Sequence, residues 1–329
     1  MVKFREIRLS QKTIDEVTSA LKNGELVAGP FVEKVERKME EITGLSYCVA
    51  VSSGTMALKI AMDLNYVGTS GHKVLVPDLS FIATASSVLE SGGELRYCDV
   101  DLDSFVMTKE LVDKEIEKDP AIEAIVPVHL GGNIVEGLDF LPFPLVYDSA
   151  HYVGPAKDMT SFSFYPTKMI SGVDGGCICL KSEKNVRRAK ELRNFGFEEG
   201  TRILGDDDGY KGNMTNISAV VIYNNLLVYE EVMNSRRAIL GVYNSLFKLD
   251  NKGIGMYMVK VKDPDIVVKK LQGQAIRHYP LSLSEMIEGE AMNPIAKFLA
   301  EHLVSLPFHE HMTEDDAFSI YKEVKDELI

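Results

Sequence analysis

The sequence predicts an α/β fold, a mainly parallel sheet covered by helices on both faces, with a smaller α+β domain after it. Three observations predict it. Strand-like and helix-like segments alternate from residue 47 onward, the rhythm of a parallel sheet with helical crossovers. The rhythm changes near residue 236. The length, 329 residues, suits one large domain plus a smaller one. The boundary is read at 1–235 and 236–329.

Pro30 fits the first turn of a helix over 30–43, in which Val32, Val35, Met39 and Ile42 recur at helical spacing. A strand over 47–51 and a helix over 55–64 follow. Next come a strand over 73–76 with a helix over 82–90, and a strand over 94–98 with a helix over 109–118. Further strands are read over 124–128, 145–147 and 176–180. Residues 183–195 form a basic helix, and a polar loop holds Asp206, Asp207 and Asp208 as solvated charge. A helical stretch from 214 to about 247 breaks near Val232. Beyond it the pattern is a strand over 255–261, a helix over 263–271, a strand over 275–279 and helices over 294–303 and 313–328.

At 45% hydrophobic and 26% charged residues, this is the composition of a globular protein. The net charge of -13 argues against a nucleic-acid surface, while leaving room for a local basic pocket. No apolar run is long enough to span a bilayer, and the opening MVKFREIRLS has no apolar core of a secretory signal. Cys48, Cys98, Cys177 and Cys179 are too few and too scattered for a disulfide framework. Cys177 and Cys179 share one face of an apolar run and read as core residues rather than metal ligands. These features together point to the cytoplasm.

Three segments carry chemistry. SFSFYPTKMISGVDGG, residues 161–176, puts Lys168 on a tight loop between two apolar runs. A lysine placed so is a candidate Schiff-base nucleophile, the alternative being a surface lysine on a hairpin. VYDSAH, residues 146–151, ends an apolar strand on Asp148, at the strand edge where α/β sheets place ligands. A carboxylate there either holds a pyridine nitrogen protonated or caps the next turn. VSSGTMAL, residues 51–58, passes from strand to small-residue turn to helix. Its helix N-terminus offers free N–H groups to a phosphate, with Gly54 allowing close approach and Thr55 adding a hydroxyl; an ordinary N-cap is the other reading. Ser163 offers a second hydroxyl, and Phe81 opens a helix where it can stack on a flat ring.

In order along the chain, these segments resemble the DegT/DnrJ/EryC1/StrS family of sugar aminotransferases, which depend on pyridoxal 5'-phosphate (PLP). GELVAGPFVEKVERKMEEITG resembles its N-terminal loop and helix, VSSGTMAL its phosphate loop, and DSAHYVG with SFSFYPTKMISGVDGG its aspartate and lysine segments. VPDLSFIATASSVLESGGELRYCDVD, ELRNFGF, GYKGNMTNISA, IRHYP and LVSLPFHEHMTEDD follow in the family's order. The resemblance implies fold type I, with a mainly parallel seven-stranded sheet, and a homodimer with shared active sites. It makes Lys168 the residue that binds PLP covalently as an imine, and Asp148 the partner of the pyridine nitrogen. His151 comes near the phenolic oxygen, Phe81 stacks on the ring, and Gly54, Thr55, Met56 and Ser163 contact the phosphate. GYKGNM matches a segment that reaches the phosphate from the neighbouring subunit, through Lys211 or Asn213, where many relatives carry Asn and Arg. His278 and Tyr279 face the sugar.

The chain departs from the family where Tyr147 replaces an acidic residue, and it is shorter around 248–258 and 280–295. The implied reaction is ping-pong transfer of an amino group from glutamate or glutamine to a nucleotide-linked keto-sugar, with no metal. A sugar dehydratase is disfavoured, since relatives of that kind carry histidine in place of Lys168. A non-catalytic protein that binds PLP or a sugar nucleotide is the alternative of another class. The pair His309 and His311 reads as a loop rather than a metal site.

Overall fold

The computed structural model describes residues 2–27, 29–65, 71–205 and 208–329; Asp206 and Asp207 of the acidic run lie outside them. The strands of the first part are β1 Tyr47–Val51, β2 Lys73–Pro77, β3 Glu94–Cys98, β4 Ile122–Ile125, β5 Tyr147–Asp148, β6 Thr160–Ser163 and β7 Gly176–Leu180. The helices are α1 Gln11–Asn23, α2 Pro30–Thr43, α3 Gly54–Leu64, α4 Ile82–Glu90, α5 Lys109–Lys118, α6 Glu183–Leu192, α7 Asn216–Leu227 and α8 Tyr229–Phe247. The last part adds β8 Tyr257–Lys260, α9 Pro264–Lys270, α10 Leu283–Glu288, α11 Pro294–His302, β9 Leu303–Leu306 and α12 Glu314–Val324.

The ladders run β1-β7-β6-β5 and β3-β2-β4, and parallel bridges from Ile125 to Leu145 and from Val128 to Asp148 lay β4 beside β5. The result is one seven-stranded sheet in the order β3-β2-β4-β5-β6-β7-β1. Only β7 runs against its neighbours; the other pairs are parallel.

The strand period of two explains why both faces are covered. Val49 and Val51 of β1, with Ile178 and Leu180 of β7, turn to a core shared with α3, α4 and α6. Cys48, Ala50, Cys177 and Cys179 turn the other way, onto α2 and α7. Parallel strands buried on both faces need near-continuous apolar sequence, which LVP and IV supply in β2 and at the end of β4. In the C-terminal part, β8 pairs antiparallel with β9. There Tyr243, Phe247, Tyr257, Val304 and Ile320 gather into a separate core. Helix α8 runs unbroken through residue 236, where the sequence reading puts the domain boundary.

Several elements differ from the sequence reading. The long helical stretch breaks at Val228, with φ -103 and ψ 19, and Val232 lies inside α8. The basic helix stops at Leu192, because Phe195 and Gly196 take φ of 60 and 76. Residues 275–279 are not a strand: Ile276 makes one bridge, to Ser305, before the chain turns into Pro280, which has no N–H to extend a ladder. Leu303 leaves the preceding helix to open β9. Four elements have no counterpart in the sequence reading: α1, β6, α10 and β9. Helix α1 carries the marks that would have found it, Ser10 accepting from the Thr13 N–H and Gly24 at φ 73.

The structure adds one bond to the cysteine reading. Cys48 and Cys179 face each other across β1 and β7, with Cα atoms 4.3 Å apart, and their sulfurs are joined in a disulfide. Cys98 and Cys177 are free and buried. Among the described residues the one group of three metal-ligand side chains is Cys48, Cys177 and Cys179, two of which are spent on that bond. No helix among the described residues is long and apolar enough to cross a membrane.

Candidate active site

Lys168 sits on the hairpin between β6 and β7. Ser163 pairs with Gly176 at the last rung, and the Phe164 N–H donates to the Gly175 carbonyl at 2.8 Å. The chain then turns through Pro166, and the Lys168 N–H closes the turn on the Tyr165 carbonyl at 2.8 Å. Asn225 of α7 holds the far side by donating to the Ser171 carbonyl at 2.7 Å. A lysine so placed is not a surface lysine. It lines a cavity of about 560 Å3, and its removal from water pulls its pKa down to about 8, against the pull of Asp148, which raises it.

Asp148 ends β5 in the middle of the sheet. Its backbone N–H donates to the Pro127 carbonyl, and its carbonyl accepts from the His129 N–H, both at 2.9 Å. The carboxylate accepts from the Thr84 hydroxyl at 2.9 Å and from the Ala150 N–H at 3.1 Å. Burial pushes its pKa up; those two hydrogen bonds and the charge of Lys168 pull it down. Thr84 is held in turn by Ser80, 2.8 Å away. Neither Thr84 nor Ser80 stands out in the sequence, though Thr84 lies one helical turn after Phe81.

Helix α3 points its N-terminus at the same cavity. Ser53 caps it by accepting from the Met56 N–H, and the Ala57 N–H begins the helical ladder. The N–H groups of Gly54 and Thr55 remain for a ligand. Two glycines make the cradle close. A Cβ on Gly54 would stand 2.7 Å from the Ser163 Cβ, and one on Gly176 would stand 2.3 Å from the Ser53 carbonyl oxygen.

The cavity wall brings together Gly54, Thr55, Phe81, Asp148, His151, Ser163, Lys168, His278 and Tyr279 from the sequence reading. Phe81 precedes α4 and is 59% exposed as a residue, free to stack. His151 is buried, and its Nδ1 accepts from the Gly131 N–H at 3.3 Å, so its hydrogen is on Nε2. Burial first, then the charges of Lys168 and His278, keeps it neutral. His278 is held at Nδ1 by the Ser305 hydroxyl at 3.0 Å, and burial lowers its pKa to about 4. Tyr279 keeps its proton through burial and the nearby Asp148 charge. Three of the sequence candidates lie outside this wall. The Met56 N–H is taken by Ser53, Lys211 is exposed, and Asn213 donates to Asn194 at 3.0 Å. Phe4 and Arg5, which the sequence reading passed over, line the cavity from the N-terminal arm. Tyr147 is buried and donates to Asp139 at 2.8 Å. His309 is buried and His311 is 6.1 Å from it, ring to ring; among the described residues they belong to no group of three metal-ligand side chains.

The order of these segments recurs in known proteins. The model of the DegT/DnrJ/EryC1/StrS aminotransferase family matches residues 8–141 and 144–325. The chain belongs to that family. As an aminotransferase-family member it is 27% identical over 283 residues to the UDP-4-amino-4,6-dideoxy-N-acetyl-beta-L-altrosamine transaminase of Campylobacter jejuni subsp. jejuni serotype O:23/36, covering 80% of this chain and 73% of that protein. It is also 27% identical over 343 residues to the dTDP-3-amino-3,4,6-trideoxy-alpha-D-glucose transaminase of Micromonospora megalomicea subsp. nigra, covering 92% and 91%. The PLP-form of Spr1654 from Streptococcus pneumoniae superposes with a TM-score of 0.84 at 22% identity, covering 98% of this chain and 96% of that one, which shows a common fold. The mainly parallel seven-stranded sheet of this aminotransferase is the fold type I architecture that the resemblance implies.

Proposed function

We propose that this protein is a PLP-dependent aminotransferase that moves an amino group from glutamate or glutamine to a keto-sugar carried on a nucleoside diphosphate. One observation carries the reading: Lys168 and Asp148, from two separate strand ends, line one cavity together with the open N-terminus of α3. The cofactor fits the residues present. The Gly54 and Thr55 N–H groups with Ser163 would hold the phosphate, in a cradle that a Cβ on Gly54 would fill. Asp148 would keep the pyridine nitrogen protonated, and the Nε2–H of His151 would donate to the phenolic oxygen. Phe81 would cover one ring face.

Bound PLP supplies an electron sink for the carbon that gains or loses a proton. Everything else is the chain's own work. Lys168 carries the proton to and from that carbon, a task suited to an amine whose pKa is lowered to about 8. Tyr279 and His278 orient the sugar from the side of the C-terminal domain, read as residues 236–329. The relatives named above, transaminases of UDP- and dTDP-linked sugars, support the substrate class.

The active enzyme is a homodimer with shared active sites. The support is that Lys211 and Asn213 stand outside this chain's own cavity wall, while Ile14, Leu21, Val173 and Leu227 are exposed apolar side chains. A second copy would cover those side chains and lend Lys211 or Asn213 to its neighbour.

The test is a panel of keto-sugar nucleotides assayed with glutamate and glutamine. One sugar nucleotide should be aminated with matched loss of the amino donor. A protein that binds PLP yet leaves its absorbance band unchanged with every donor would be a binding protein instead. The lysine also sets a pH dependence. The neutral amine is the nucleophile, and a pKa lowered to about 8 means that it deprotonates well below the ordinary lysine range. Uptake of PLP by the apoprotein, followed by absorbance from pH 6 to 10, should therefore speed up with pH and level off just above about 8. A rate still climbing steeply at pH 10 would overturn the assignment of that pKa to the reacting amine.

A further inference from the structure

The N-terminal arm forms part of the cavity wall. The Phe4 N–H donates to Gln274 Oε1 at 2.8 Å, and its ring lies 5.4 Å from that of His278, centroid to centroid. Next to it, Arg5 bridges two parts of the site. Its Nη1 donates to Glu310 Oε2 at 2.6 Å and its Nη2 to the Met169 carbonyl at 3.2 Å, on the residue after Lys168. The Arg5 side chain is only 7% exposed, and its Nε–H is buried without a partner. A buried guanidinium donor left unpaired is costly, and such a group calls for a ligand.

The charge count points to what kind of ligand. Glu310 Oε2 is shared: the fully buried Arg236 donates to the same oxygen from its Nε at 3.2 Å. Two guanidinium groups thus share one carboxylate, so that trio carries one positive charge in excess; Lys168, Asp148 and Asp174 are the other charged groups of the wall. His309 adds none, because burial lowers its pKa to about 4. The phosphate is provided for elsewhere, at α3. What an excess guanidinium with a free N–H recognises is a carboxylate.

We propose that Arg5 is a specificity residue whose Nε–H receives the α-carboxylate of the amino donor. This rests on the aminotransferase reading above. An α-amino acid bears its carboxylate on the same carbon as the amine that must take the place of Lys168. Arg5 is tied to the backbone beside Lys168 and lines the same cavity. A keto-sugar acid is the other source of a carboxylate, and the test separates the two.

The experiment uses holoenzyme with Arg5→Gln and Arg5→Lys. Arg236 still pairs with Glu310 in both, and the visible cofactor band with the melting temperature checks that the site has formed. A hydrogen bond to a charged group corresponds to a change of about 10- to 100-fold. Arg5→Gln should raise the KM for L-glutamate by about that factor with kcat little changed, while the KM for a keto-sugar without a carboxylate stays put. Arg5→Lys, which keeps the charge and loses the Nε–H, should fall between. Calorimetry with glutarate, an unreactive dicarboxylate, should show the same loss of affinity without any turnover. Unchanged glutarate binding and unchanged KM in a folded variant would overturn the proposal. An effect confined to a sugar that bears a carboxylate would overturn the donor assignment. A wild type that aminates nothing would end the enzyme reading, yet glutarate binding would still report on Arg5, so the two failures read separately.

Discussion

Lys168→Ala should abolish transamination, with turnover down by at least about 10^4-fold, and should remove the visible absorbance band of the bound cofactor. The expectation rests on position. Lys168 is the amine on the β6–β7 hairpin that lines the cavity with Asp148, and burial brings its pKa to about 8. Among the described residues no other lysine lines that wall. Loss of folding would not explain the result. A lysine whose folded pKa lies below its unfolded value binds its proton less tightly in the native state. Between about 8 and the ordinary lysine value the unfolded chain holds more protons, so the lysine's contribution to stability rises with pH across that window and is least favourable below it. Removing it should leave the apoprotein melting no lower than wild type at pH 7. Stopped-flow absorbance with glutamate, alongside a thermal melt, checks both halves. An alanine variant that still turns over would sink the assignment.

Asp148→Asn should slow the donor half-reaction by about 10^3-fold while leaving PLP bound. A charge pair at about 4 Å is of order 4 kcal/mol at an effective dielectric near 20, and that is about three decades in rate. The amide oxygen can still accept from Thr84, which donates to Asp148 at 2.9 Å in the native protein, while the amide nitrogen gives up the hydrogen bond from the Ala150 N–H, so the change removes the charge and one contact. The apoprotein should tolerate it. Asp148 has its pKa raised, chiefly by burial. A raised carboxyl contributes stability below its unfolded pKa, and that contribution is lost as pH rises through the folded pKa. At neutral pH the buried charge is therefore a cost in the apoprotein, which asparagine relieves. A single-turnover rate within tenfold of wild type would show that the carboxylate does not hold the ring nitrogen.

Local pattern explains why so much was readable beforehand. The helix over 30–43 and the strands over 47–51 and 94–98 match α2, β1 and β3 end to end, because apolar periodicity and Pro30 act within a few residues. Lys168, Asp148 and Gly54 stood out for a related reason: each stands at a junction between elements, and the three line one cavity. The misreadings share the opposite cause. Residues 275–279 look like a strand by alternation, but a partner along only one rung and Pro280 decide otherwise.

By itself, then, the sequence determined most of the strands and helices of the first part, and put Asp148 at a strand end and Lys168 on a loop between apolar runs. Only the tertiary structure decided what meets them. Thr84 reaches Asp148 across 64 residues, Cys179 reaches Cys48 across 131, and Arg5 reaches Glu310 across 305. Such pairings are set by sheet register and by the packing of the arm on the C-terminal core. Hydrophobic periodicity carries no information about either, because it records only which face of a segment is buried, not what lies against it.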